Sequence, residues 1–169
     1  VLGETMQVME IVAIAIVMLG VFLPSLVARA DFSRFRRKPQ LLDDPALAGL
    51  NYVVFDTETT GLHPSDGDRV VQIAAVRIVD GIVRRDQIFD ELVQPGRTIP
   101  RLSTTFHGIT DDQVANKRAI GPVLQDFHAF CGDSVLVAHN AAFDMKFLEL
   151  ARADGAPVFS QPVLDTLLL

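Results

Sequence analysis

The chain has 169 residues, 49% of them hydrophobic, a net charge of −6 and a single cysteine. That length accommodates one ordinary core plus extensions, and a lone cysteine excludes an intramolecular disulfide and a multi-cysteine zinc site. From residue 39 onward acidic residues outnumber basic ones, which excludes a duplex-coating protein but not one that meets a strand end through bound cations.

The first segment, residues 1–30, holds an uncharged apolar run from about 11 to 28, IVAIAIVMLGVFLPSLVA, with Pro24 and Ser25 near its end. It is long enough for a transmembrane helix. Glu4 and Glu10 precede it, and Arg29, Arg34, Arg36, Arg37 and Lys38 follow. Basic residues are retained on the cytoplasmic side, so the expected location is the inner (cytoplasmic) membrane with the remainder facing the cytoplasm. The basic cluster then reads as an anchor to anionic lipid. A cleaved signal peptide would carry its basic residues before the apolar run, and a buried core helix would show a polar face. The chain opens on Val1, consistent with further sequence upstream. Residues 31–49 are a basic juxtamembrane stretch and linker, closing with PQLLDDPALAG.

The third segment, residues 50–169, reads as an α/β domain with a mixed sheet. Tyr52-Val53-Val54-Phe55 predicts a strand buried on both faces. Val70 to Val79 and Gln87 to Val93 flank Asp80-Gly81, which predicts a hairpin. Ile120, Val123, Leu124, Phe127 and Phe130 recur at helical spacing, and Cys131 reads as a small core residue at that helix's end. Ser134 to Ala138 predicts another buried strand. Phe143, Phe147, Leu150 and Ala151 mark a second helix capped by Asn140.

Two constellations carry chemistry. In Phe55-Asp56-Thr57-Glu58-Thr59-Thr60-Gly61, Asp56 is placed where the buried strand runs out. At strand spacing Asp56 and Glu58 share a face, and two such carboxylates repel unless a cation or a proton separates them. All-oxygen ligation suits Mg²⁺ or Mn²⁺ rather than zinc. In His139-Asn140-Ala141-Ala142-Phe143-Asp144, the chain leaves a strand and enters a helix, with Asp144 in or just beyond the first turn. Each motif alone reads as easily as solvated charge, but both fall where α/β sheets hold their ligands.

FDTETTG followed by HNAAFD resembles the first two motifs of the DEDD exonucleases (DEDDh type), most of all the epsilon proofreading subunit of bacterial DNA polymerase III. Ile99-Pro100 through Phe106-His107-Gly108-Ile109-Thr110 is similar to that family's intervening loop, and Leu164-Asp165-Thr166-Leu167 to its Asp-Ser/Thr-Leu helix start. The resemblance implies a ribonuclease-H-like mixed sheet flanked by helices and a metal-dependent 3′→5′ exonuclease acting on a single-stranded 3′ end of DNA or RNA. It implies two divalent metal ions, Mg²⁺ or Mn²⁺. Asp56 would ligate both, Glu58 the more tightly held one, and Asp144 the second through water. Thr57, Thr60 and Leu62 would line the pocket of the terminal nucleotide, with Leu62 wedging against its base. His107, Asn140 and Phe143 would be further substrate contacts. Leu102 stands where proofreading members often have a glutamate that meets the terminal sugar. A polymerase or another protein partner is allowed for, but no docking segment is singled out.

The family's third motif, a histidine followed by an aspartate, should lie well beyond residue 169, and no histidine follows Asp144. The expected general base and last metal ligand are therefore missing from these residues, and the domain is expected to be C-terminally incomplete and impaired or inactive by itself. Asp-x-Asp phosphatases fit poorly, since the second acid is Glu58. A membrane-anchored module that binds a nucleic-acid end or a partner without cutting is the main alternative.

Overall fold

The computed structural model describes residues 49–168. The expected membrane helix at 11–28, the basic stretch and most of the linker lie outside the described residues. Among the described residues no helix is long and apolar enough to cross a membrane.

The strands are β1 (Tyr52–Thr59), β2 (Val70–Val79), β3 (Ile82–Leu92), β4 (Val135–Ala138) and β5 (Val163–Asp165). The helices are α1 (Arg101–His107), α2 (Asp111–Val114), α3 (Ile120–Cys131) and α4 (Ala141–Leu150). The sheet order is β3-β2-β1-β4-β5, with β1, β2 and β3 antiparallel and β4 and β5 parallel to β1. This is the expected mixed sheet. The hairpin forms at Asp80-Gly81, both residues at positive φ (53° and 71°), as a two-residue turn between twisted strands requires. The strand expected at Gln87 to Val93 begins earlier, at Ile82, because the tight turn lets β2 and β3 pair from Val79↔Ile82 onward.

Strand alternation divides the core. Val53 and Phe55 of β1, Ile73 and Ala75 of β2 and Leu136 of β4 pack with Val123, Leu124 and Phe127 of α3 and with Phe147 and Leu148 of α4. Phe127 is fully buried, with its ring 5.4 Å from Phe55 and 5.3 Å from Phe89. Truncating such a side chain to alanine costs about 3–5 kcal/mol. Tyr52, Val54, Val76, Ile78 and Val137 form a second cluster on the opposite face. Cys131 ends α3 as a buried residue, its thiol pushed up to about 12 by burial.

The segment read as an intervening loop, residues 99–110, folds around α1, and α2 follows it directly. α2 starts on a reciprocal capping box between Thr110 and Gln113, a Thr-x-x-Gln signal visible in the sequence. Val71, Ile99, Ile109 and Val114 form a third small cluster that fixes these helices against the sheet.

Candidate active site

β1 continues past Phe55, so Asp56 and Glu58 lie within the strand and not at its end. Asp56 pairs with Ala74 and Glu58 with Gln72 of β2. The apolar run stopped short as a guide because the strand is held by backbone pairing, which is indifferent to side-chain polarity. Alternation carries Tyr52 and Val54 on to Asp56 and Glu58, so both carboxylates lie on the face away from α3 and α4.

The other edge of β1 explains Asp144. β4 pairs with β1 only over Tyr52–Val54, leaving the C-terminal half of β1 without a strand on that side among the described residues. α4 enters there. Thr57, on the α4 face, donates its main-chain N–H (3.1 Å) and its hydroxyl (2.6 Å) to Oδ1 of Asp144. Asp144, only 1% exposed, thereby supplies the acceptor that a longer β4 would have offered.

Burial raises the pKa of all three carboxyls. Glu58 is pushed up to about 7 by burial and then by the Asp56 charge. Asp144 also reaches about 7, through burial and the Asp56 charge against the opposing hydrogen bonds from Thr57. Asp56 rises through burial, held back by the Thr57 amide and by His139. Desolvation raises all three acids and the Asp56 charge further raises Glu58 and Asp144, which makes them a donor set that a hard divalent cation would relieve. Among the described residues, however, no three acid, histidine or cysteine side chains converge as a ready metal cage, and Oδ1 of Asp144 is already engaged by Thr57. Asp56 and Glu58, side by side on one face of β1, are the pair that could receive an ion, with Asp144 behind them.

The elbow before α4 is built differently from the expected cap. Asn140 occupies the cap position but makes no side-chain cap hydrogen bond; it sits in the left-handed region at φ 60°. Its N–H donates to Oδ1 of Asp165 (2.9 Å), which also accepts the N–H of Leu167. Nδ1 of His139 lies 3.0 Å from the Thr166 hydroxyl. The Leu164–Leu167 segment therefore holds the elbow, a role that the sequence reading did not assign.

The remaining predicted residues divide by exposure. Leu62 is 72% exposed, and Asn140 is open to solvent. Phe143 is half-buried, 5.1 Å edge-on from Phe147. Thr60, by contrast, is buried; its hydroxyl donates to Asp68 (3.1 Å) and accepts the Arg69 N–H (3.0 Å). His107 is buried too, with Nδ1 accepting the Ile109 N–H (3.0 Å). Burial lowers its pKa against a weaker pull from the main chain of Thr59, which keeps the ring neutral near pH 7. Beside Glu58, across the row Glu58–Gln72–Leu92, a cleft of about 360 Å³ opens between the sheet and the His107–Ile109 turn.

Two exposed apolar residues lie on α1: Leu102 (68%), noted in the sequence only as standing in place of a glutamate, and Phe106 (78%), which was given no role. Their i, i+4 spacing on a short polar helix places them on one helical face, which was the available signal. The Ser103 hydroxyl donates to the Thr60 carbonyl (2.8 Å), tying that helix to the end of β1.

The family model described as Exonuclease (RNase_T) matches residues 53–167. A DNA polymerase III subunit epsilon-like protein of Rhodobacter capsulatus is 53% identical over 128 residues, covering 76% of this chain and 18% of that protein. A PolC-type DNA polymerase III of Streptococcus suis is 44% identical over 126 residues, covering 73% of this chain and 8% of the other. The chain thus spans a minor part of either relative. Among solved structures, exonuclease X in complex with 5′ overhanging duplex DNA superposes with a TM-score of 0.54 at 31% identity, covering 68% of this chain and 58% of the other. Exonuclease I gives a TM-score of 0.62 at 18% identity, covering 70% and 28%, a likeness of fold.

Proposed function

Because the chain belongs to the exonuclease family, we propose that it hydrolyses the 3′-terminal phosphodiester of a single-stranded DNA or RNA end, releasing nucleoside monophosphates, with two divalent cations, Mg²⁺ or Mn²⁺. The observation that carries this reading is the pairing of Asp56 and Glu58 on one face of β1, with Asp144 secured to the same strand through Thr57.

Bound cations would supply Lewis-acid polarisation of the phosphate and a more acidic water. Asp56 would contribute to both ions, Glu58 to the tighter one, and Asp144 to the second through water. Burial keeps bulk water from screening these charges, which strengthens their hold on an ion. Leu62, Asn140 and Phe143 are accessible enough to meet the terminal nucleotide directly. Thr57, Thr60 and His107 support it from behind: Thr57 orients Asp144, Thr60 closes the loop that presents Leu62, and neutral His107 braces the turn after α1.

Release of mononucleotides from 3′-labelled and 5′-labelled single strands tests the reading, with Mg²⁺, Mn²⁺ or EDTA. Cleavage that begins at the 5′ end, or persists in EDTA, would sink it. The histidine and aspartate of a third motif are proposed to complete the site, so the 169-residue chain is expected to cut more slowly than a version extended past Leu169. Equal turnover by the two would remove that part of the proposal.

A second reading, binding of a strand end without cleavage, draws on the engagement of Asp144 by Thr57 and the lack of a ready metal cage among the described residues. Asp56→Asn separates the two: a nuclease loses turnover, whereas a binding module keeps its phenotype.

The chain is further proposed to be tethered in the inner (cytoplasmic) membrane by residues 11–28, with the domain facing the cytoplasm. The uncharged run and the basic cluster after it support this. Recovery of the protein in the soluble fraction, rather than in carbonate-washed membranes, would overturn it.

A further inference from the structure

The chain leaves β1 at Thr59 and returns as β2 at Val70, and the loop between carries Leu62. That side chain is 72% exposed, so its position is set by its neighbours' anchors. The loop's base closes through Thr60 N–H to the Arg69 carbonyl (2.8 Å) and Arg69 N–H to the Thr60 hydroxyl (3.0 Å). Inside it lies the Asp68 carboxylate, whose side chain is 14% exposed. Oδ1 accepts the Thr60 hydroxyl (3.1 Å) and Nη1 of Arg97 (2.9 Å), and Oδ2 accepts the His63 N–H (3.0 Å). A Cβ on Gly61 would fall 2.3 Å from Oδ2, so Gly61 rests directly against this carboxylate. Residues 60, 61 and 63, which bracket Leu62, are thus all seated on Asp68.

Arg97 reaches in from the segment between β3 and α1. It also donates to the Gly67 carbonyl (2.7 Å). The Leu62 loop and the segment leading into α1 are therefore joined at Asp68–Arg97 and again at Ser103–Thr60. One hydrogen-bonded unit carries three exposed apolar side chains, Leu62, Leu102 and Phe106, next to the strand that bears the carboxylates.

We propose that Asp68 and Arg97 are positioning residues that hold Leu62 in place to separate the last base from its partner or neighbour, and so govern how well a paired 3′ end is admitted relative to an unpaired one. This rests on the nuclease reading of the site. The physical logic is that an apolar wedge unstacks a base only if its backbone resists being pushed back. A loop pinned at both ends and at its centre meets that requirement.

The test uses the full-length protein and a primer–template with 2-aminopurine at the 3′ terminus, in Ca²⁺ to permit binding without turnover. Fluorescence should rise as the unmodified protein unstacks the terminal base. Arg97→Gln and Leu62→Ala should each remove at least half of that rise, and the double variant should remove no more than the stronger single one. Thermal unfolding checks that Arg97→Gln is folded, and Asp68→Asn is the second variant on the same contact. In Mg²⁺ or Mn²⁺, Arg97→Gln should lower kcat/KM on paired ends by about 10-fold and on single strands by less than about 2-fold.

A full fluorescence rise with folded Arg97→Gln, additive effects with Leu62→Ala, or equal losses on paired and single-stranded ends would overturn the proposal. So would the lack of any rise with the unmodified protein. A normal pattern of fluorescence without hydrolysis by the unmodified protein would sink the nuclease reading and leave the wedge support standing.

Discussion

Thr57 directs two donors, its main-chain N–H and its hydroxyl, at the same oxygen of Asp144, 87 residues away in sequence. This contact joins the strand that carries Asp56 and Glu58 to the helix that carries the third acid. Thr57→Val keeps the shape and removes the hydroxyl donor, leaving a buried carboxyl with one fewer hydrogen bond. The expected cost is about 1–3 kcal/mol of stability, with a loss of turnover larger than in Thr57→Ser, which retains the donor. Denaturant unfolding alongside nucleotide release measures both; equal behaviour of the two variants would show that the hydroxyl is dispensable.

The raised carboxyls predict how stability varies with pH when divalent cations are removed. Glu58 and Asp144 are pushed up to about 7 in the fold from ordinary values of 4.5 and 3.8. Between the two ranges the folded protein binds more protons than the unfolded chain, so stability falls as pH rises. In EDTA, Tm should therefore decline from about pH 4.5 to about pH 7 through these groups and then level off. Glu58→Gln and Asp144→Asn should each flatten the decline. Added Mg²⁺ or Mn²⁺ should raise Tm more at pH 8 than at pH 5, because a ligand that prefers ionised carboxylates competes with protons at the lower pH. A Tm that climbs with pH across this window in EDTA would contradict the burial described here.

Removing one carboxylate at a time separates cation binding from folding. Asp56→Asn, Glu58→Gln and Asp144→Asn should each reduce nucleotide release by about 100-fold or more, the scale seen when a preorganised electrostatic contact is lost. In EDTA the same variants should be as stable as the unmodified chain or more so at pH 8, since each relieves crowded negative charge. An activity loss accompanied by matching destabilisation would mean that the residue serves the fold and not the ions.

Much of this was legible in advance. The β2–β3 hairpin followed from Asp80-Gly81, α3 from its apolar period, and the shared face of Asp56 and Glu58 from strand alternation. What escaped was set by partners distant in sequence. β1 runs on through Asp56 and Glu58 because β2 pairs with it residue by residue, a fact absent from the polarity of β1 itself. Thr60 and His107 look like surface donors in the chain, yet packing of the loop and of α1 buries them. Asp68 and Arg97 are ordinary charged residues in isolation, and their pairing depends on two loops meeting. Gly121 similarly has no local signal: its missing side chain matters because the Asp154 carbonyl would lie 2.0 Å from a Cβ there.

Asn140 offers the sharpest separation of scaffold from substrate contact. Its φ of 60° is tolerated by asparagine and glycine but costs most other residues about 1 kcal/mol or more. Its side chain makes no cap hydrogen bond, while its main-chain N–H is held by Asp165. Asn140→Gly should therefore preserve the elbow, with stability within about 1 kcal/mol of the original, whereas Asn140→Ala should be the less stable of the two. If the exposed amide meets the terminal nucleotide, both variants should raise KM, because each lacks that amide. Asp165→Ala should instead remove the acceptor for Asn140 and Leu167, lowering stability by about 1–3 kcal/mol and disturbing the approach of Asp144 to Thr57. A glycine variant with unchanged KM would assign Asn140 to the turn alone, and an Asp165→Ala protein with full stability would show that the elbow holds itself.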